Sequence, residues 1–138
     1  CDLAFEAPLQ VAVVGVLPGG GRDTVTVRVA DITSFIVMKA QALSDRLKEK
    51  DAWDIYYCLR GQEVGNAGLA EQIRPRLDHG LVLEGLRKLR EQFATLNSFG
   101  PTAVANFEDL ADRESRDIRQ RDAFERVQDL LRRLELVR

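Results

Sequence analysis

The hydrophobic period of this chain changes once, at Asp31, and that change limits what the chain can fold into. Before it, Leu9 to Leu17 is a short apolar run rich in β-branched residues, and Thr24 to Val29 alternates in strand period. Pro18-Gly19-Gly20-Gly21-Arg22-Asp23 separates the two, so they read as a hairpin or as two strands joined by a flexible loop. Val25, Val27 and Val29 are expected to face a core, with Thr24, Thr26 and Arg28 turned outward or toward a cleft. The three glycines lack the P-loop frame, and no helix follows them directly, so they read as plain loop.

From Asp31 onward every periodic segment is helical. Asp31 is a good N-cap for a helix reaching about Leu47, and Asp51 begins a second that ends with Gly61 just past its last turn. Ala67 to Leu77 is amphipathic, and Pro75 should distort or end it. Leu83, Leu86, Leu89, Phe93 and Leu96 form a core stripe at three- and four-residue spacing. A turn through Gly100 sets Pro101 at or near the first position of a helix to Phe107. Glu114 to Val137 closes the chain, with Phe124, Val127, Leu130, Leu131 and Leu134 on its apolar face. The fold class is therefore α+β: an N-terminal strand pair over residues 1–30, then a helical region of five or six helices over 31–138.

The charges with most to say about function lie between Val37 and Arg60. Lys39 sits among Phe35, Ile36, Val37, Met38, Ala40 and Ala42, so it must snorkel, pair with a carboxylate or meet an anion. Lys39, Arg46 and Lys50 are spaced by seven and four, one stripe if the helix is continuous. Asp51 and Asp54 follow at a spacing of three. Two readings stand. The cluster holds phosphate, or the floor of a site that does. Otherwise Asp51 favours a helix N-terminus, Asp54 pairs with Arg60 or Lys50, and Lys39 is half of a structural ion pair.

Lys39-Ala40-Gln41-Ala42-Leu43 followed by Arg46-Leu47-Lys48-Glu49-Lys50-Asp51-Ala52-Trp53-Asp54-Ile55 resembles the nucleotidyltransferases related to the abortive-infection toxins of bacterial type IV toxin–antitoxin pairs. The strong likeness covers roughly residues 25 to 60, and the helical remainder resembles the family more weakly. The family's catalytic signature, a Gly-Ser pair followed by an Asp-x-Asp strand, is absent from this sequence. The chain starts at Cys1, so it reads as the C-terminal part of a longer protein, with residues 1–30 completing a catalytic palm that lies upstream. The resemblance implies transfer of a nucleotidyl group from a nucleoside triphosphate (NTP) to a hydroxyl acceptor with Mg²⁺. It implies Lys39, Arg46 and Lys50 as phosphate contacts, Lys39 as catalytic, and Asp51 and Asp54 as supports that orient the cations. Asp2, in an alternating apolar frame, is the candidate catalytic carboxylate and metal ligand within this chain. A nucleic-acid acceptor such as tRNA and a cognate antitoxin are the implied partners. Tight binding of Mg²⁺ and NTP to this chain alone is not expected.

Composition narrows the alternatives. A net charge of −2 provides no global basic field for polyanions, so any such site is local. No apolar stretch is long enough to span a bilayer and no signal peptide is present, and Cys58 in an apolar helix reads as a buried free thiol, which suits a reducing cytoplasm. His79, the single histidine, reads as a helix-end cap. Arginines from Arg113 to Arg133 alternate with acids, the pattern of a salt-bridged solvent face, with an RNA-facing surface as the other reading. Tyr56 and Tyr57 read as core, with base stacking as the alternative. The competing function is a noncatalytic helical module that binds a partner or dimerises. It predicts Lys39 closed into an ion pair and a large exposed apolar patch elsewhere.

Overall fold

The computed structural model describes residues 3–138. A short helix α1 (Leu3–Glu6) leads into strands β1 (Leu9–Val16) and β2 (Arg22–Val29), which pair antiparallel from Leu9↔Val29 to Val16↔Arg22. The turn closes through Gly20 N–H donating to the Leu17 carbonyl at 2.9 Å, and Gly20 takes a φ of 85°, a left-handed conformation that glycine adopts without steric cost. Six α-helices follow among the described residues: α2 (Ile32–Arg46), α3 (Glu49–Gly61), α4 (Gly65–Ile73), α5 (Gly80–Gln92), α6 (Phe99–Phe107) and α7 (Arg113–Arg133). The α+β class and the hairpin-then-helices order are as read from the sequence. Pro75 sits in a 3₁₀ turn, Arg74–Arg76, that ends α4, and His79 caps α5 by accepting the Leu81 N–H on Nδ1.

The register puts Leu9, Val11 and Val13 opposite Val29, Val27 and Val25, so one face of the ribbon is apolar. That face does not reach the core. Val25, Val27 and Val29 are all exposed, against expectation. Alternation tells only that a ribbon has two unlike faces. Burial needs a partner layer, and the helices of this chain pack on one another instead.

The helical core is one cluster. Ile36, Leu43, Ile55, Tyr56, Leu59, Leu86, Phe93, Val104, Val127 and Leu130 are all buried in it. Helix α2 lies against α5, where Gly85 permits close approach: a Cβ there would stand 2.6 Å from Val37 Cγ1. Helix α3 packs between α2 and the α6–α7 pair. Leu83, Leu96 and Phe124, expected on core stripes, are only half-buried at its margin. The acids and arginines of α7 pair along its surface at i,i+4, as Arg121–Glu125, Arg126–Asp122 and Arg133–Asp129.

Candidate functional site

The charged cluster is built across a break in the helix. Leu47 adopts φ 48°, ψ 46°, its N–H still donating to the Leu43 carbonyl, and α2 stops there. The stripe expected of a continuous helix is therefore not what brings Lys39, Arg46 and Lys50 together. The chain reverses, α3 starts at Glu49 rather than Asp51, and Asp51 in its first turn faces back onto α2. Gly61 is the last residue of α3 instead of its follower.

Asp51 is 2% exposed and is the hub. Arg46 grips it with two parallel bonds, Nε to Oδ2 and Nη2 to Oδ1, both 2.9 Å, and Lys39 Nζ donates to Oδ1 at 3.3 Å. Lys39 Nζ also lies 2.8 Å from Asp54 Oδ2, and Lys50 holds the same carboxylate at 2.9 and 3.1 Å. Three cations thus meet two carboxylates, leaving one net positive charge. Lys39 keeps 23% exposure, while Arg46 and Lys50 are about half or more exposed.

Burial alone would raise the pKa of the Asp51 carboxyl, but hydrogen bonds from Arg46 and Lys39 outweigh it and hold it below the usual range. Asp54 behaves alike: burial opposes ionisation, and Lys39 and Lys50 prevail. The Lys39 ammonium is raised, chiefly by its bond to Asp54, against the lowering effect of burial and with help from Asp51. Lys39, Asp51 and Asp54 are therefore ionised at neutral pH.

Asp54 brings the cluster to the wall of a cleft of about 500 Å³ at the base of the ribbon. Leu9 and Ala30 of the ribbon ends, Ile32 and Phe35 of α2, and Asp54, Tyr57, Cys58, Gly61 and Gln62 along α3 line it. Lys39 Nζ lies 5.7 Å from the Phe35 ring centroid, so aromatic wall and ammonium adjoin. Tyr56 is buried as expected, its hydroxyl donating to Asp122 of α7, but Tyr57 is 60% exposed and belongs to the cleft. Arg60, a candidate partner of Asp54, stacks on Trp53, Tyr56 and Tyr57 instead. Cys58 is a free thiol, half-buried on the cleft wall. The sequence reading set Tyr57 in the core with base stacking as the alternative, and gave Phe35 and Gln62 no role in a site. The available signal was that Asp54, Tyr57, Cys58 and Gly61 follow i, i+3, i+4, i+7, one helix face.

Asp2 lies outside the described residues. Among the described residues no three His, Cys, Asp or Glu side chains gather as a metal-holding group. The oxygens of Asp51 and Asp54 are engaged by ammonium and guanidinium groups, a donor set that does not fit a divalent cation. No helix is long and apolar enough to cross a membrane.

Residues 2–136 match the family described as nucleotidyl transferase AbiEii toxin, type IV TA system, and the chain belongs to that family. The match extends on both sides of the 25–60 segment that carries the motif. No curated protein and no solved structure matches the chain.

Proposed function

We propose that this chain provides the cationic side of a nucleotidyl-transfer site, and that Lys39 contacts the triphosphate of the incoming nucleotide. In such a transfer an acceptor hydroxyl oxygen attacks the α-phosphorus, its proton is lost to a base, and pyrophosphate leaves. The observation that carries the reading is the partly open ion cluster with its one surplus positive charge, which adjoins the cleft through Asp54. Lys39 has three N–H donors and commits two, to Asp51 and Asp54, which leaves one for a phosphate oxygen. Arg46 commits two of its five, and its exposed remainder and Lys50 extend the anion-binding edge. Asp51 and Asp54 orient these cations; they are positioning residues.

The Mg²⁺ such chemistry uses requires carboxylates other than Asp51 and Asp54. Asp2 is the contribution we assign to this chain, and the rest of that set belongs to a catalytic palm carrying the Gly-Ser and Asp-x-Asp elements. The exposed apolar face of the ribbon supports a packing site for that palm. Family membership supports a cognate antitoxin as partner and an acceptor hydroxyl on a nucleic acid such as tRNA. The same exposed ribbon face, together with the pairing of Lys39 to Asp51 and Asp54, favours the second reading, a noncatalytic interaction module.

Lys39→Met separates the two readings in a protein that joins this chain to its catalytic palm. Labelled NTPs, Mg²⁺ and an RNA pool report transfer, and a melting curve on the same sample reports folding. Loss of an ammonium that stabilises developing phosphate charge lowers kcat/KM by on the order of 10²–10³. Unchanged turnover per folded molecule, with only Tm displaced, makes Lys39 a structural ion and removes it from the site.

A further inference from the structure

Resting on the phosphate reading above, we infer that the cleft at the base of the ribbon is a nucleobase seat, with Tyr57 and Phe35 as its aromatic walls and Gln62 as its polar reader. The cleft runs along α3 from Asp54, which holds Lys39 and Lys50, to Gly61 and Gln62. Seven residues of helix from Asp54 to Gly61 cover roughly 10 Å, about the span of a nucleotide from its 5′-phosphate to the far edge of its base. A nucleotide whose phosphates meet the cations beside Asp54 has this cleft for its base, with Phe35 nearer the ammonium and the exposed ring of Tyr57 further along the wall. Stacking on such rings tolerates every base, because each has a π-face. The Tyr57 ring is itself braced: Trp53 lies 6.3 Å away between ring centroids, and the Arg60 guanidinium 5.8 Å from its centroid.

Gln62 carries the second, independent observation. Among the described residues its Oε1 is the buried side-chain polar atom that has no hydrogen-bond partner. The amide orientation is set by its neighbour. Asn66 donates its Nδ2 to the Arg126 carbonyl at 2.8 Å and to Asp129 Oδ2 at 3.1 Å, so Asn66 Oδ1 is left to accept Gln62 Nε2 at 3.4 Å. Gln62 Oε1 stays on the other edge of the amide as a free acceptor. Gln62 also borders a second, polar cavity between α3 and α7. Its Nε2 serves that side, through Asn66. A buried acceptor without a partner is unfavourable, and a base N–H offers the missing donor. Gln62 follows the last turn of α3 in extended backbone, φ −74° and ψ 142°, so its side chain is not part of the helix surface.

The test is an NMR titration of the 138-residue chain, to millimolar ligand, with inorganic triphosphate, the four NTPs and the four nucleosides. The NTPs should bind about tenfold more tightly than triphosphate. Tyr57→Ala should abolish that difference and leave triphosphate affinity as it was. Because Tyr57 is exposed the variant folds, which circular dichroism checks. Gln62→Ala should alter the ranking of the four NTPs several-fold without altering triphosphate affinity. Equal affinities for NTP and triphosphate, indifferent to Tyr57→Ala, would overturn the seat while leaving the phosphate contact intact. If triphosphate does not bind, the phosphate reading fails. The nucleosides then decide the seat: binding that Tyr57→Ala removes supports it, and no binding overturns it.

Discussion

Removing the Asp51 carboxylate should weaken the fold by a predictable amount and with a predictable pH signature. Asp51 accepts two bonds from Arg46 and one from Lys39 while 2% exposed. Breaking a fully buried pair by deleting one partner costs about 3–5 kcal/mol, mostly from the charge left behind. Here the charges left behind are less isolated. Lys39 keeps Asp54 at 2.8 Å, and Arg46 is half exposed and rehydrates. Asp51→Ala should therefore cost about 2–3 kcal/mol, and Asp51→Asn, which keeps an acceptor, about 1–2 kcal/mol. The sign of the pH effect follows from the depressed folded-state pKa. The stabilisation is fully present above the unfolded carboxyl value of about 4 and is lost as pH falls through the lower folded value. Urea titrations at pH 7 and near pH 3 should thus show a deficit for Asp51→Asn that narrows in acid, with an unchanged m-value. A deficit under about 0.5 kcal/mol at pH 7, or one equally large in acid, would refute Asp51 as an ionised hub.

Two further outcomes follow from packing and composition. Leu86→Ala in α5 and Leu130→Ala in α7 each truncate a fully buried side chain, and denaturant titration should show losses of about 2–5 kcal/mol apiece. Losses under about 1 kcal/mol for both would mean that these faces are not core. Residues 1–138 alone, incubated with labelled NTPs, Mg²⁺ and RNA, should give no transfer product, because the sequence has neither Gly-Ser nor Asp-x-Asp. Product from that chain would show that its own carboxylates complete a site.

How much of the site was legible turns on which residues declare themselves by type. Lys39, Arg46, Asp51 and Asp54 did, because charges flanked by apolar helix must find partners, and spacing limits which partners are in reach. Their route together was not legible. Leu47 in the left-handed region breaks the helix, yet leucine has none of glycine's tolerance for positive φ and so gives no stop signal. The ribbon divides the same way. Its strands and their alternation were readable, but exposure of Val25, Val27 and Val29 depends on what else packs there, which no local pattern encodes. Tyr57 was hidden by its neighbour: Tyr56 and Tyr57 are adjacent, and helical geometry must turn them about 100° apart. Tyr56 takes the core and reaches Asp122, so Tyr57 is forced onto the face of Asp54, Cys58 and Gly61.

That division bears on whether the ion cluster is merely a staple between α2 and α3. A staple needs only Arg46 and Asp51, whose bidentate contact already joins the two helices. Lys39 joins the same two helices, at 3.3 Å from Asp51 and 2.8 Å from Asp54, but the join does not require it, and the residues around it are apolar. Instead its ammonium is held between two carboxylates beside Phe35, with one donor uncommitted, and two of its neighbours, Asp54 and Phe35, line the cleft with Tyr57. Keeping a charge there costs desolvation that a methionine would avoid. The cost is intelligible where an anion must be met at a fixed point, and Asp51 and Asp54 keep the lysine ionised and aimed until it is.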